Sequence, residues 1–120
     1  MALLDKSTEN FLHAIKHVDS LLLELGFKQY SIFHKGFATF VRYKRGETIV
    51  EFLYGPGEYK IEMVLHTQNG KFNFGELLLK IPELNSWVYS KQCAVSEGDN
   101  LIDDLLYYIE VLKISLPFIE

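Results

Sequence analysis

The feature that most constrains this 120-residue chain is an alternation of apolar and polar residues from Phe27 to His66. Turn residues interrupt it at Lys35-Gly36, at Arg45-Gly46 and at Gly55-Pro56-Gly57. Because successive side chains of a strand point to opposite faces, this period predicts strands, and the short turns predict antiparallel hairpins. We therefore expect a four-stranded antiparallel meander, in which the loop after the first strand, Phe27 to Phe33, has either two or three residues.

The register of the later strands can be tested for internal consistency. A two-residue loop at Arg45-Gly46 pairs Val41 with Val50, and a four-residue loop that begins at Gly55 pairs Val50 with Met63. Both loops place one largely apolar set on the same side of the sheet, whereas a one-residue slip would divide that set between the faces. The set comprises Thr39, Val41, Tyr43, Val50, Phe52, Tyr54, Tyr59, Ile61, Met63 and Leu65.

The segment before the meander, residues 8–25, has the period of an α-helix. Its apolar side chains recur at alternating steps of four and three, which places them on one stripe of the helix. The stripe consists of Phe11, Ile15, Val18, Leu22 and Leu25. Ser7 is suited to cap the start of this helix, and Gly26 is suited to end it in the left-handed conformation.

Three further segments follow the meander. Residues 73–81 predict a short helix that Pro82 ends. Residues 83–95 fit either a loop or a short fifth strand. Residues 97–115 predict a long helix with one apolar stripe, and Pro117 falls at its end. That stripe consists of Leu101, Leu105, Ile109, Leu112 and Leu116.

These elements predict a single α+β domain over residues 1–120, with both long helices packed on the apolar face of the sheet. No run approaches the roughly 18 apolar residues of a membrane span, and Asp5 and Glu9 interrupt the place where a signal peptide would have its apolar core. Cys93 is the only cysteine, which excludes an intrachain disulfide and favours a reducing compartment. We expect a cytoplasmic protein.

The charge of the chain limits its partners. Its net charge is −4, which argues against nucleic acid because neutralising phosphates requires a basic surface. The charge is unevenly spread: residues 1–46 hold seven basic and four acidic side chains, whereas residues 97–120 hold six acidic side chains and one lysine. Such asymmetry favours oriented attraction of a charged partner. Nucleic acid is therefore not expected to bind, and a membrane is not expected to bind either, since the chain has no run of apolar residues long enough to span one.

The second face of the predicted sheet mixes apolar and charged residues. In the register above, Glu51 lies opposite Glu62, Arg42 is diagonal to Glu51, and Lys60 lies beside both acids. Facing carboxylates can act as an acid/base pair when one keeps a proton. They can equally form a cross-strand charge ladder that the basic residues offset. A third interpretation is a surface for a protein partner. Its candidate contact residues are Phe40, Arg42, Glu51, Leu53, Lys60 and Glu62.

Other chemistry-bearing residues lack the companions that their chemistry needs. His13 and His17 are four apart, a spacing that can present two imidazoles to one metal, but no third ligand is near them in sequence. Cys93 has no neighbouring histidine. Trp87 either anchors a partner or fills the edge of the core, and the second use is more common. We predict no catalytic residues, no metal and no cofactor.

The chain resembles small acidic bacterial α+β proteins, some of which are immunity proteins of polymorphic toxin systems. The likeness lies in four stretches of packing and turn residues, which are Phe40-Val41-Arg42-Tyr43, residues 49–56, residues 58–62, and Phe74-Gly75-Glu76-Leu77-Leu78. The resemblance implies a protein that binds and neutralises a cognate toxin without a cofactor. It carries over no contact residues, because immunity proteins diverge where they touch their toxins.

The preferred hypothesis is thus a non-enzymatic protein-binding domain, with an immunity protein as its more specific form. One alternative is a homodimeric structural or chaperone-like module that uses the same face or an edge strand. Another is a small enzyme that uses Glu51, Glu62 and Arg42.

Overall fold

The computed structural model describes residues 6–36, 38–55, 61–90 and 101–119 of the chain. Its elements follow in the order α1 (Lys6–Glu24), β1 (Lys28–Lys35), β2 (Ala38–Arg45), β3 (Thr48–Tyr54), β4 (Ile61–Thr67), β5 (Gly70–Asn73), α2 (Phe74–Lys80), α3 (Pro82–Ser90) and α4 (Leu101–Ile119). The strands form one antiparallel sheet in the order β1-β2-β3-β4-β5. The predicted α+β meander with N- and C-terminal helices is confirmed.

Helix α1 forms where its apolar stripe predicts it and ends at a glycine. Gly26 has a φ of 91°, in the left-handed region that glycine adopts without steric cost. Its N–H donates to the Leu23 carbonyl at 2.9 Å, and the Phe27 N–H donates to the Leu22 carbonyl at 3.0 Å, which is a Schellman motif. At the other end, the helix begins one residue before Ser7, so the prediction that Ser7 is its N-cap is wrong.

Both central hairpins are offset by two residues from the predicted register. Val50 pairs with Tyr43 and Leu65, and the predicted pairs with Val41 and Met63 are wrong. Because side chains alternate with a period of two, a two-residue shift returns each of them to its original face. The described members of the predicted apolar set therefore share one face and are all buried. Tyr59 lies outside the described residues.

The offset at the β2–β3 hairpin arises because Arg45 belongs to the strand and not to the loop. Arg45 pairs with Thr48, which leaves Gly46-Glu47 as the turn, with Gly46 at a φ of 57°. The Arg45 guanidinium donates to the Leu25 carbonyl at 2.8 Å and lies 4.9 Å from the centre of the Phe27 ring. These contacts with the end of α1 hold the residue in β2.

Strand β1 is an edge strand that extends beyond its predicted end. It runs to Lys35, which pairs with Ala38, so the loop to β2 has two residues. The register shifts between Gln29 and Ser31, which leaves Tyr30 as the extra residue of a bulge. Bulges are common on edge strands, where they discourage pairing with another sheet.

The helices pack on the apolar face of the sheet, which we call the covered face. Phe11 of α1 stacks on Tyr54 with ring centres 5.1 Å apart. From α4, the Tyr108 hydroxyl donates to the Ile61 carbonyl at 2.9 Å. All four helices contribute buried apolar side chains to one core cluster with β2, β3 and β4. None of the described helices combines the length and the apolarity that crossing a bilayer requires.

The region after β4 differs most from the prediction. The fifth strand is β5, whereas the part of residues 83–95 that is described belongs to α3. Residues 91–95 lie outside the described residues. Pro82 ends α2 as predicted and also begins α3, because its fixed φ and missing N–H suit the first turn of a helix. At the start of α2, Asn73 and Glu76 form a reciprocal capping box.

Helix α4 continues past the residue predicted to end it. It extends to Ile119 with Pro117 inside the last turn, so the predicted end is wrong. Ile119 is buried, and its carbonyl accepts a hydrogen bond from the Asn69 side chain at 3.1 Å. Core packing and this cap sustain the last turn beyond the proline. The predicted residues 97–100 of this helix lie outside the described residues.

Candidate functional site

The side of the sheet opposite the helices is called the open face. Antiparallel pairing places directly opposite residues on the same face, so the register defines its members. They are Lys28, Ser31, Phe33 and Lys35 of β1, Ala38, Phe40, Arg42 and Lys44 of β2, Ile49, Glu51 and Leu53 of β3, Glu62, Val64 and His66 of β4, and Lys71 and Asn73 of β5.

An ion pair lies at the centre of the open face. Arg42 is directly opposite Glu51, and its Nε donates to Glu51 Oε1 at 2.7 Å. The Glu51 side chain is only 7% exposed, whereas the Arg42 side chain is 34% exposed. This hydrogen bond and the charge of the Glu51 carboxylate raise the pKa of Arg42, although its partial burial acts in the opposite direction. Glu51 thus holds the guanidinium in place, and Arg42 presents it to solvent.

Two phenylalanine rings support the same arginine. Phe33 pairs with Phe40, and their rings stack with centres 4.7 Å apart and planes inclined by 5°. The guanidinium carbon of Arg42 lies 4.7 Å from the centre of the Phe33 ring. A cation–π contact of this kind contributes about 0.5–1 kcal/mol at an exposed site. The ring and the carboxylate together restrict the conformations of Arg42.

His66 approaches the ion pair from β4. Its Nε2 lies 3.8 Å from Glu51 Oε2, which makes an ion pair only when the imidazole is protonated. That nitrogen is shielded from solvent and has no hydrogen-bond partner among the described residues. Glu51 is therefore flanked by a guanidinium on one strand and by an imidazole on another.

The predicted pair of facing carboxylates does not form. Glu51 is opposite Val64, and Glu62 is opposite Leu53, so the prediction that the two acids face each other is wrong. The prediction that Arg42 is diagonal to Glu51 is wrong as well, because the two are directly opposite. The cause is again the two-residue offset of the hairpins. One carboxylate is buried beside the arginine, and the other is exposed.

Most of the predicted contact residues do share the open face. Its centre, on the adjacent strands β2 and β3, contains Phe40, Arg42, Glu51 and Leu53. Glu62 of β4 lies opposite Leu53. Lys60 lies outside the described residues.

Sequence reasoning missed Phe33 and His66 as parts of this site. A two-residue loop after Lys35 would have paired Phe33 with Phe40, but the bulge at Tyr30 hides the period of β1. The β3–β4 offset likewise concealed the approach of His66 to Glu51.

The other candidate residues lie elsewhere. His13 and His17 are exposed on α1. Within residues 6–36, 38–55, 61–90 and 101–119, no three His, Cys, Asp or Glu side chains lie close enough to hold a metal ion. Trp87 fills the edge of the core, with its ring centre 5.1 Å from that of Tyr107. Cys93 lies outside the described residues.

The open face therefore presents half-buried apolar groups, two stacked rings and an oriented guanidinium, an arrangement suited to binding. Searches against protein-family models, curated proteins and solved structures found no match to this chain.

Proposed function

We propose that this chain is a non-enzymatic protein-binding domain and that the open face of its sheet is the surface that contacts the partner. The observation that carries the proposal is the fixed position of Arg42, between the Phe33 ring and the Glu51 carboxylate, on the side of the sheet opposite the helices. Arginine and aromatic side chains are enriched among the residues that dominate binding energy at protein interfaces.

Preorganisation supports the same proposal. Immobilising a flexible side chain on binding costs about 0.5–1.5 kcal/mol, and part of this cost falls away when the side chain is already held. Arg42 is restrained by Glu51, and Phe40 is restrained by its stack on Phe33. Leu53 and Val64 are half-buried beside these groups and supply apolar area for a partner to cover.

The more specific form of the proposal is an immunity protein that binds and neutralises a cognate toxin. It rests on the resemblance of the Phe40–Tyr43 and Ile49–Pro56 stretches to such proteins. Residues from both stretches contribute to the open face, namely Phe40, Arg42, Ile49, Glu51 and Leu53. Such a protein acts by covering the toxin and needs no group of its own that performs chemistry.

Photo-crosslinking in the native host tests the binding surface. A photoreactive phenylalanine analogue is placed at Phe40 and, in separate strains, at Leu53 or at Leu23. Leu23 is the matched control, because it is an apolar residue of α1 with 49% exposure. We expect positions 40 and 53 to capture one and the same protein and position 23 to capture none of it. The captured protein, purified and mixed with this chain, should then form a complex that Phe40→Asp weakens at least tenfold.

The immunity role has its own readout. Production of the captured protein alone should arrest growth, and co-production of this chain should restore it. Crosslinks to position 23 alone, or none at all in the host, would contradict the open face as the binding surface. Crosslinks only between copies of this chain would instead support the homodimeric module.

A further inference from the structure

The charges of this chain are separated between its helices and its strands. The four helices carry eight acidic and four basic side chains. The five strands carry two acidic side chains, Glu51 and Glu62, and six basic ones. Five of those six lie on the open face, since only Arg45 points to the other side. The described part of the open face is therefore predominantly basic, although the net charge of the chain is −4.

The basic residues include a row that crosses the whole sheet. Lys28 is opposite Lys44, Lys44 is opposite Ile49, Ile49 is opposite His66, and His66 is opposite Lys71. Adjacent strands are about 4.8 Å apart, so this basic row is about 19 Å long. The row contains no carboxylate, and among the described residues its three lysines, all exposed, form no ion pair.

In the absence of a partner, the basic row lowers the stability of the sheet. Like charges directly opposite each other on neighbouring strands repel, and Lys28 and Lys44 are such a pair. A carboxylate in the same row would relieve this repulsion, and the row offers only Ile49 and His66 between Lys44 and Lys71. Carboxylates of a partner would compensate the positive charge of the row and so reduce the repulsion between its lysines.

We propose that the partner of the open face is an acidic protein surface, whose carboxylates lie on the row of Lys28, Lys44 and Lys71 while its apolar groups cover Phe40 and Leu53. This inference rests on the proposed function and names the chemistry of the partner. It follows from charge complementarity: the open face combines a line of ammonium groups with half-buried apolar side chains two rows away, at Phe40 and Leu53, and the Arg42–Glu51 pair lies between them. Complementary charges of this kind accelerate encounter and select among partners.

A protein partner fits these observations better than a nucleic acid. The basic row is short, and the exposed Glu62 lies on the same face, where it would repel phosphates. The excess of acidic side chains in the helices would also oppose a long polyanion that extends beyond the sheet. A folded acidic protein can match the row without meeting those groups.

Titration of the full-length chain, labelled with ¹⁵N, tests the inference. Two probes are compared at 50 mM and 300 mM NaCl: a twelve-residue peptide of alternating glutamate and phenylalanine, and the single-stranded oligonucleotide dT12. We expect the peptide to shift the amide signals of Lys44, His66 and Lys71 selectively, with affinity at least fivefold weaker at the higher salt. The oligonucleotide should bind at least tenfold more weakly than the peptide.

Matched variants separate the basic row from net charge. The triple variant K28E/K44E/K71E should lose at least tenfold in peptide affinity, while K16E/K80E/K113E, which changes the same number of helix lysines, should stay within twofold of the unaltered chain. The neutral variant K28Q/K44Q/K71Q should lie in between and guards against a folding defect in the first. Tighter binding of dT12 than of the peptide, or equal losses in both charge-reversed variants, would overturn the inference.

The captured partner distinguishes this inference from the proposed function. If position 40 crosslinks a host protein whose binding K28E/K44E/K71E leaves unchanged, the acidic partner is wrong and the binding surface stands. If position 40 captures no host protein, both the proposed binding surface and the acidic partner are wrong.

Discussion

The covered and open faces are made of alternating residues of the same strands, yet they follow different physical rules. On the covered face, Val41, Val50 and Phe52 are fully buried among apolar groups of the helices. On the open face, their sequence neighbours Arg42 and Glu51 form an ion pair beside rings that remain half-exposed. One face therefore supplies most of the buried apolar area of the core, whereas the other leaves charged and apolar groups accessible to solvent.

The largest effect should come from a cavity on the covered face. Phe52 is fully buried and meets Tyr43 edge-on, with ring centres 6.4 Å apart. Phe52→Ala should lower the free energy of unfolding by about 3–5 kcal/mol, because it removes buried area and leaves a void. Leu53→Ala, one residue later and half-buried on the open face, should cost about 1 kcal/mol. Urea denaturation measures both, and equal losses would contradict the division between the faces.

The division between the faces could be predicted from the sequence, whereas the pairs across strands could not. Alternation fixes which side each residue takes, and a two-residue error in a turn leaves that side unchanged. The pairing of β2 with β3 depends on whether Arg45 belongs to the loop or to the strand. Its contacts with Leu25 and Phe27 hold it in the strand. Those contacts join residues of different elements, so no local pattern reveals them. The Arg42–Glu51 pair was therefore expected on the right face but in the wrong geometry.

The region between β4 and α4 shows where local signals are too weak. Residues 83–90 form a helix although their polar residues and Trp87 suggested a loop or a strand. Their helix is stabilised by packing: Leu84 is buried in the core, and Trp87 lies against Tyr107 of α4. Strand β5 has only four residues, too few to show a period, and it forms because it pairs with β4.

The next effect should come from breaking the ion pair at the centre of the open face. Arg42→Met keeps most of the side-chain length but leaves the Glu51 carboxylate, which is 7% exposed, without its guanidinium. Unpairing a fully buried charge costs about 3–5 kcal/mol. Because Arg42 is itself a third exposed, we expect about 1–3 kcal/mol.

A double-mutant cycle with Glu51→Gln isolates this interaction. The double variant should be more stable than the sum of the two single losses implies, because neither charge is then left unpaired. Purely additive losses would show that the ion pair contributes nothing to stability, and the preorganisation argued for Arg42 would then lack its energetic basis.

Titration of a tyrosine in the helix layer should make stability fall at high pH. Burial, with repulsion from nearby acidic groups, raises the pKa of Tyr108 to about 12, compared with about 10 in an unfolded chain. The folded state therefore keeps this proton to a higher pH. The associated stability is fully present below pH 10 and is lost between pH 10 and 12.

Tyr108→Phe checks this pH dependence. A pKa shift of about two units corresponds to about 2–3 kcal/mol. Between pH 10 and 12 the free energy of unfolding should therefore fall by about 2–3 kcal/mol more in the unaltered chain than in the variant. Tyr89→Phe is the control, because Tyr89 is 77% exposed. The pKa of Tyr43 is raised too, by burial and by its hydrogen bond to Asp19, and the resulting loss of stability above pH 10 is the same in both chains, so it cancels in the comparison. Parallel curves for Tyr108→Phe and the unaltered chain would contradict the buried hydroxyl.

The smallest effect should distinguish a stability role from a binding role on the open face. Lys44→Glu replaces the repulsion between Lys28 and Lys44 by attraction, so it should raise the free energy of unfolding by about 0.5 kcal/mol at low salt and by less at high salt. Lys16→Glu, an equal charge change at an exposed position of α1, should give no such gain. A residue whose replacement stabilises the free protein while weakening its complex is one that the fold itself does not need. If Lys44→Glu instead destabilises the chain, the lysines stabilise the sheet, and the free protein holds no repulsion for an acidic partner to relieve.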